Sequence, residues 1–224
     1  NLARKIAIKE YFPSGVAVRV TGLADVFPHA AKLKADYQWG LERFLDGARI
    51  VARFHHMRNI IWVQNYFPAN GTAYMVMEFL DGEDLERILQ RMGKLPMSAV
   101  QQVITPVFEA LKVVHADGLM HRDISPDNIY VTEQGELIKL IDFGAARFSL
   151  GQQSKNLSVI LKPGYAPPEQ YESKGNQGPW TDVYACAATI YRAITNVVPP
   201  PSYDRLSGDE LIPPSQLGAD ISSG

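Results

Sequence analysis

The sequence predicts an α+β fold, with β-strands gathered in the first 80 residues and helices dominating from residue 81 onward. Three observations carry that prediction. Lys5-Ile6-Ala7-Ile8-Lys9-Glu10 alternates apolar and polar residues, the period of a half-buried strand. Two later stretches, Ser98 to Val114 and Trp180 to Thr195, either repeat apolar residues at helical spacing or are apolar almost throughout. Between them lies His121-Arg122-Asp123-Ile124-Ser125-Pro126-Asp127-Asn128, which packs a His, an Arg, two Asp and an Asn into one short loop.

At 224 residues and 46% hydrophobic content, the chain can bury a sizeable core as one large domain or two small lobes. The first strand ends near Lys9. Residues 11 to 38 carry Pro13, Gly15, Gly22 and Pro28 without clear periodicity, and read as a long connection expected to be mobile. From Trp39 the pattern turns helical: Leu41, Phe44, Leu45, Ala48, Val51, Ala52 and Phe54 recur at three- and four-residue steps, predicting an amphipathic helix to about His55. Asn59 to Tyr66 and Ala73 to Phe79, separated by Pro68-Ala69-Asn70-Gly71, predict a β-hairpin. Asp84 to Met92 reads as a short helix. Ser98 is expected to cap a longer one, whose stripe runs Val100, Val103, Ile104, Val107, Phe108, Leu111 and Val114. Pro106 is expected to bend it, and Ala116-Asp117-Gly118 to end it. The polar segment Ser149 to Ser158 is expected to be mobile until something orders it, and the helix from Trp180 to Thr195 to be central and buried.

Charge and composition exclude several classes. A net charge of -2 with no basic run argues against nucleic acid or an anionic membrane surface as the main partner. No apolar stretch approaches a membrane span, and Asn1-Leu2-Ala3-Arg4-Lys5 lacks a signal peptide's apolar core, so the sequence reads as soluble, without membrane contact. The single cysteine, Cys186, lies in the apolar run Val183 to Ile190, which excludes a disulfide framework and makes a cytoplasmic location the natural expectation. Cys186 reads as a buried small hydrophobe rather than a nucleophile, and His55 and His56 as surface or helix-end residues rather than metal ligands.

Asp142-Phe143-Gly144 follows the apolar run Leu137 to Ile141 and brings a second carboxylate after the polar loop. Two carboxylates and an amide have separate jobs in phosphoryl transfer: one orients and deprotonates a hydroxyl, another holds magnesium over the phosphates, and the amide oxygen completes the metal shell.

His121-Arg122-Asp123 with Asn128, followed by Asp142-Phe143-Gly144, resembles the motif pair of eukaryotic-like protein kinases. The chain looks most like the Hanks-type Ser/Thr protein kinases of bacteria, in particular a group marked by Ala7-Ile8-Lys9-Glu10-Tyr11-Phe12-Pro13 and by Lys162-Pro163-Gly164-Tyr165-Ala166-Pro167-Pro168-Glu169-Gln170-Tyr171. The resemblance runs from Lys9 to about Pro201. It implies a two-lobed protein-kinase-like fold, with a small antiparallel β lobe over residues 1–80 and a larger helical lobe over residues 81–224. It also implies ATP and Mg2+ as cofactors and a protein Ser or Thr hydroxyl as acceptor, and it is compatible with a homodimer.

Residue by residue, the resemblance implies Asp123 as catalytic base, Asn128 and Asp142 as magnesium ligands, and Lys9 as phosphate ligand. Asp182 would hold the catalytic loop's backbone from below. Met77-Glu78-Phe79-Leu80-Asp81-Gly82 looks like the hinge, where backbone groups of Glu78 and Leu80 would bond the adenine edge and Met77 would stand at the back of the pocket. Asp84, Asn128 and Tyr130 complete the cofactor-binding set. Arg122 would receive a phosphate on the activation segment, with Ser154 and Ser158 as candidate sites, and Glu169 belongs to the motif that closes that segment.

The departures from the family pattern are equally specific. The Gly-x-Gly-x-x-Gly loop expected ahead of the lysine strand does not precede Lys9 here, and the expected last helices, with the arginine that pairs with the Glu169 counterpart, do not follow. Glu169 is therefore expected to lack a partner. Gly47 stands where the family has the helix glutamate that pairs with the strand lysine. Asp46 and Glu42 lie about 100° and about 140° round the helix from it, so neither replaces the missing side chain. Ser125 stands where most Ser/Thr kinases carry a lysine, and Lys162 where they carry a threonine, so cation and hydroxyl are exchanged; Lys162 could return positive charge to the γ-phosphate. These departures motivate a competing reading as a pseudokinase scaffold or nucleotide-binding regulator. A small-molecule kinase shares the Asp-x4-Asn loop, but Pro167-Pro168-Glu169 and the long segment before it argue against that reading.

Overall fold

The computed structural model describes residues 4–132, 135, 137–143, 147–148, 161–172 and 175–220. The chain divides into two compact units, Asn1–Leu80 and Asp81–Gly224.

In the first unit, β1 (Ile6–Glu10), β2 (Ala17–Arg19) and β3 (Val26–Pro28) precede α1 (Lys34–Ala52), and β4 (Val63–Ala69) and β5 (Thr72–Glu78) follow it. β5 is the central strand of an antiparallel three-stranded sheet, with β1 on one edge and β4 on the other. The β4–β5 hairpin closes on Asn70-Gly71, whose φ angles of 51° and 67° are both left-handed, the turn geometry that matches the twist of paired strands. On the other edge, pairing sets Lys9 opposite Met75, Ala7 opposite Met77 and Ile6 opposite Glu78.

α1 lies against β4 and β5. Its Tyr37 and Leu41 join Ala17, Val26 and Ala73 in one buried cluster, against which Tyr11, Val16, Phe44 and Leu45 also pack. Burial of such side chains stabilises by roughly 1.5–3 kcal/mol each.

The stretch from residue 11 to 38 is more structured than its composition suggests. It contains the antiparallel pair β2–β3, and α1 begins at Lys34, ahead of Trp39 where the apolar period becomes visible. Each of these strands is three residues long, too short for an alternation to show. The stretch is held by contacts remote in sequence: on β3, Val26 N–H donates to the Asn70 carbonyl at 2.8 Å, and on α1, Tyr37 Oη donates to the Gly71 carbonyl at 2.9 Å. Arg19, at the end of β2, pairs with Glu10, at the end of β1.

The second unit runs β6 (Gly82–Asp84), α2 (Leu85–Met92), α3 (Met97–Ala116), β7 (Leu119–Met120), β8 (Ile129–Thr132), β9 (Ile138–Leu140), β10 (Arg147–Phe148), α4 (Pro168–Tyr171) and α5 (Pro179–Thr195). β8 is the middle of the antiparallel sheet β6-β8-β9, and β7 pairs with β10. Asp84 caps α2, its carboxylate accepting from the Arg87 N–H at 2.8 Å. At the start of α3, Pro96 rather than Ser98 is the cap residue: Pro96 is extended, and Ser98 already lies within the first helical turn. α3 continues through Pro106.

α5 is buried through most of its length, from Thr181 and Asp182 through Ala185, Cys186 and Thr189 to Tyr191–Thr195, although Trp180 and Val183 are about half exposed. α3 and β7 pack against it, while Leu89, Leu119, Ile124, Ile129 and Leu140 fill the adjoining core. The polar loop after β7 thus rests on an apolar floor.

Gly71 offers a direct test of the first unit. Its φ is left-handed, and a β-carbon there would strike the Val26 carbonyl oxygen. Gly71→Ala should destabilise the protein by about 2 kcal/mol, read as a lowered urea midpoint with an unchanged slope.

Candidate active site

The polar loop is positioned by a single buried carboxylate. Asp182, on α5, has no solvent exposure. Its Oδ1 accepts from Arg122 N–H at 2.7 Å, and its Oδ2 accepts from His121 N–H at 2.9 Å and lies 2.7 Å from His115 Nε2 at the end of α3. Burial pushes the Asp182 carboxyl up, but the hydrogen bond to His115, the His121 imidazole nearby and the two backbone amides outweigh it, so the group titrates below the ordinary aspartate range. These bonds hold Arg122 at φ 69°, a left-handed conformation that a non-glycine residue adopts only where its surroundings impose it. Gln170, on α4, adds a bond from Nε2 to the Arg122 carbonyl at 2.9 Å.

His121 joins this loop to the segment after β9 that carries Asp142. Its Nδ1 accepts from the Asp123 N–H at 3.3 Å, and its Nε2 lies 3.0 Å from the Ile141 carbonyl. A carbonyl can only accept, so Nε2 carries a proton. The ring also packs edge-on against Phe143, with centroids 4.5 Å apart. Ile141 N–H donates to the Asn128 carbonyl at 3.0 Å. Asp142, next in the chain, has φ 58°. Both candidate acids therefore adjoin backbone turned into the left-handed region, one beside Asp123 and one at Asp142 itself.

Asn128 sits in the turn Pro126–Asn128 ahead of β8 and donates from Nδ2 to the Asp123 carbonyl at 2.7 Å and to Asp123 Oδ2 at 3.0 Å. Both bonds use the amide nitrogen, so the amide oxygen is the end a cation would take. Burial pushes the Asp123 carboxyl up; the negative charge of Asp142 adds to this, and His121, Asn128 and Lys162 oppose it without reversing it. An amide oxygen and a carboxylate are hard donors of the kind that suits Mg2+, and the Ile141–Asn128 backbone bond ties the segments that carry them.

Ser125, fully buried, donates from Oγ to Asp127 Oδ1 at 2.7 Å and accepts from Lys162 Nζ at 3.2 Å. Lys162 also forms an ion pair with Asp127, and its Nζ stands 5.6 Å from the centroid of the Tyr165 ring. The exchanged cation and hydroxyl thus touch each other.

The structure corrects the expectation for Glu169. Its Oε1 accepts from Thr181 Oγ1 at 2.9 Å, and Thr181 Oγ1 in turn accepts from the Gly178 N–H at 3.2 Å, tying the end of the segment to the first turn of α5. Spacing along the chain gave no signal for this bond, nor for His115, Gln170 or the Asp127–Lys162 pair, because each joins elements that only the fold brings together.

Asp84 and Tyr130 have framework roles: Asp84 caps α2, and Tyr130 Oη donates to the Gly82 carbonyl at 2.5 Å. In the first unit, Lys9 is half-buried on β1, and Met77 and Glu78 end β5. Glu78 Oε1 accepts from Trp62 N–H at 2.7 Å. Gly47 lies on the buried side of α1, while Asp46 pairs with Arg43 at 2.9 Å and Arg49 at 2.7 Å along the helix surface. Ser154, Ser158 and the rest of the stretch from Ser149 to Ser158 lie outside the described residues.

The loop carboxylate Asp123 is bonded to the Asn128 amide, and a second acid, Asp142, follows β9; comparison with known proteins identifies the family. Residues 29–210 match the model of the protein kinase domain, and the chain belongs to that family. It is 35% identical over 170 residues to the serine/threonine-protein kinase PknL of Mycobacterium bovis, covering 75% of this chain and 42% of that protein. To serine/threonine-protein kinase F of Synechocystis it is 38% identical over 135 residues, covering 58% of this chain and 27% of that protein. The chain thus spans less than half the length of these curated relatives. A solved structure described as the PpkA-294 apo form superposes with a TM-score of 0.84 at 36% identity, covering 98% of this chain and 76% of that one. The fold is the α+β fold of protein kinases.

Asp182 generates a prediction with a defined sign. Its folded-state value is depressed, so its stabilisation is fully present above the unfolded value of about 4 and is lost as pH falls through the folded value. Asp182→Asn should lower unfolding free energy by about 3 kcal/mol at pH 7. In denaturant titrations across pH, that gap should narrow below about pH 4.

Proposed function

We propose that the chain is the catalytic domain of a cytoplasmic Ser/Thr protein kinase, which transfers the γ-phosphoryl group of ATP to a hydroxyl on a protein substrate. The two compact units are read as the partial N-lobe, residues 1–80, and the partial C-lobe, residues 81–224. The observation that carries this reading is the Asp123 carboxylate, fixed at 3.0 Å by the Asn128 amide in a loop that buried Asp182 holds by its backbone.

In the reaction, Asp123 orients the acceptor hydroxyl and takes its proton. The hydroxyl oxygen forms a bond to the γ-phosphorus, the bond from that phosphorus to the β–γ bridging oxygen breaks, and ADP leaves with the electron pair. Mg2+, held by Asn128 and Asp142, would neutralise charge on the phosphates. Lys9 would contact the phosphates, and Met77, Glu78, Leu80, Asp84 and Tyr130 would serve the nucleotide's remaining parts. Ser125 and Lys162 would supply polarity and positive charge near the group in flight. Arg122 would receive a phosphate carried by Ser154 or Ser158.

Raised by burial, the Asp123 carboxyl is a better proton acceptor than an exposed aspartate. The full-length protein, supplied with labelled ATP and a Ser/Thr-containing protein, should transfer phosphate. Asp123→Asn should reduce kcat about 10³-fold. Chelating Mg2+ should abolish transfer, and adding it back should restore it. No transfer by the unsubstituted protein would favour the scaffold reading instead, for which Gly47 supplies the motive.

A further inference from the structure

We infer that Asp127 is a positioning residue which, with the buried Ser125 hydroxyl, holds the Lys162 ammonium ready for the transferring phosphoryl group. The activation segment thereby supplies a cation that the catalytic loop lacks. This rests on the protein kinase reading above and adds to it a residue whose role acts through another.

The argument starts from donor counting. An ammonium has three N–H donors. Lys162 directs one to Ser125 Oγ at 3.2 Å and one to the Asp127 carboxylate, which leaves a third for an incoming anion. Ser125 Oγ closes the ring by donating to Asp127 Oδ1 at 2.7 Å. Because Ser125 is fully buried, its hydroxyl is a fixed point rather than a floating surface group. The Tyr165 ring beside the ammonium adds a fourth constraint.

A lysine stem left to itself loses roughly 2 kcal/mol of rotamer entropy when ordered. An exposed ion pair returns about 0–1 kcal/mol, so it is a weak device for stability. As a device for placement it is effective: ordering is completed before the substrate arrives, rather than during the transfer step. Ser125 lies two residues after Asp123 on the same loop, so a cation bonded to its hydroxyl is tied to the stretch that carries the proposed base.

The test uses the full-length protein and two independent readouts. In steady-state transfer assays, Lys162→Ala should lower kcat about 10²-fold while KM for ATP changes little. Asp127→Ala should lower kcat about tenfold, and should have no further effect in the Lys162→Ala background, because its influence passes through Lys162. Adding Ser125→Lys to Lys162→Ala should recover at least about tenfold, by returning a cation to the loop. In amine-acylation labelling read by mass spectrometry, Lys162 should react faster in Asp127→Ala than in the unsubstituted protein.

Unchanged Lys162 labelling in Asp127→Ala would overturn the inference whatever the activity. So would unchanged turnover in Lys162→Ala, or an Asp127→Ala loss of equal size in both backgrounds. Those results leave the kinase reading standing, whereas absence of transfer by the unsubstituted protein removes that reading and this inference together.

Discussion

The loop that carries Asp123 in the second unit is held by one buried carboxylate accepting hydrogen bonds from two consecutive backbone amides. An uncompensated charge so placed would be strongly unfavourable, yet the partners of Asp182 are the amides of His121 and Arg122 and the ring of His115. The amides cannot turn away without stranding the charge. The loop between β7 and β8 is thereby held against α5, and the left-handed conformation at Arg122 follows from that restraint. His121 then carries the order onward, with one ring nitrogen bonded to Asp123's amide and the other to the Ile141 carbonyl just before Asp142. A single acid in a buried helix organises two other acids that must remain accessible.

Much of this was legible because the chemistry needs particular residues close together in sequence. Asp123 and Asn128 sit on one short loop, and Asp142 follows an apolar run that could only be a strand. Asp182 was legible through the family resemblance, which implied that it holds the loop's backbone. The β4–β5 hairpin was legible from Asn70-Gly71, whose turn requires left-handed residues. These signals are local, and local signals survive in a sequence.

Where the reading fell short, the cause was a contact made only by folding. The β2–β3 pair consists of strands too short to show a period, and it is held by Asn70, far along the chain. Ser98 has good capping chemistry, but Pro96 already supplies the extended entry, so the serine falls inside the helix. Glu169 has an identifiable partner, and it is a threonine in the first turn of α5 rather than an arginine. A neutral hydroxyl satisfies the carboxylate with one bond and leaves its charge intact, so this joint between α4 and α5 rests on geometry more than on ion pairing.

The relocation of a lysine from loop to segment changes what the segment contributes. On the catalytic loop, a cation would be positioned by the same scaffold that positions Asp123, whatever the segment did. At position 162 its placement depends on the segment's closing residues, which are themselves anchored by Gln170 to the Arg122 carbonyl and by Glu169 to Thr181. Charge near the transferring group and order in the segment then become linked, because disturbing either anchor moves the root of the lysine stem. Asp127 and Ser125 complete that linkage from the loop side. The pair Asp127–Lys162 is half exposed and contributes little to folding stability. In the proposed reaction its value would lie in joining two segments whose relative placement decides whether a flexible charge stands near the transferring group.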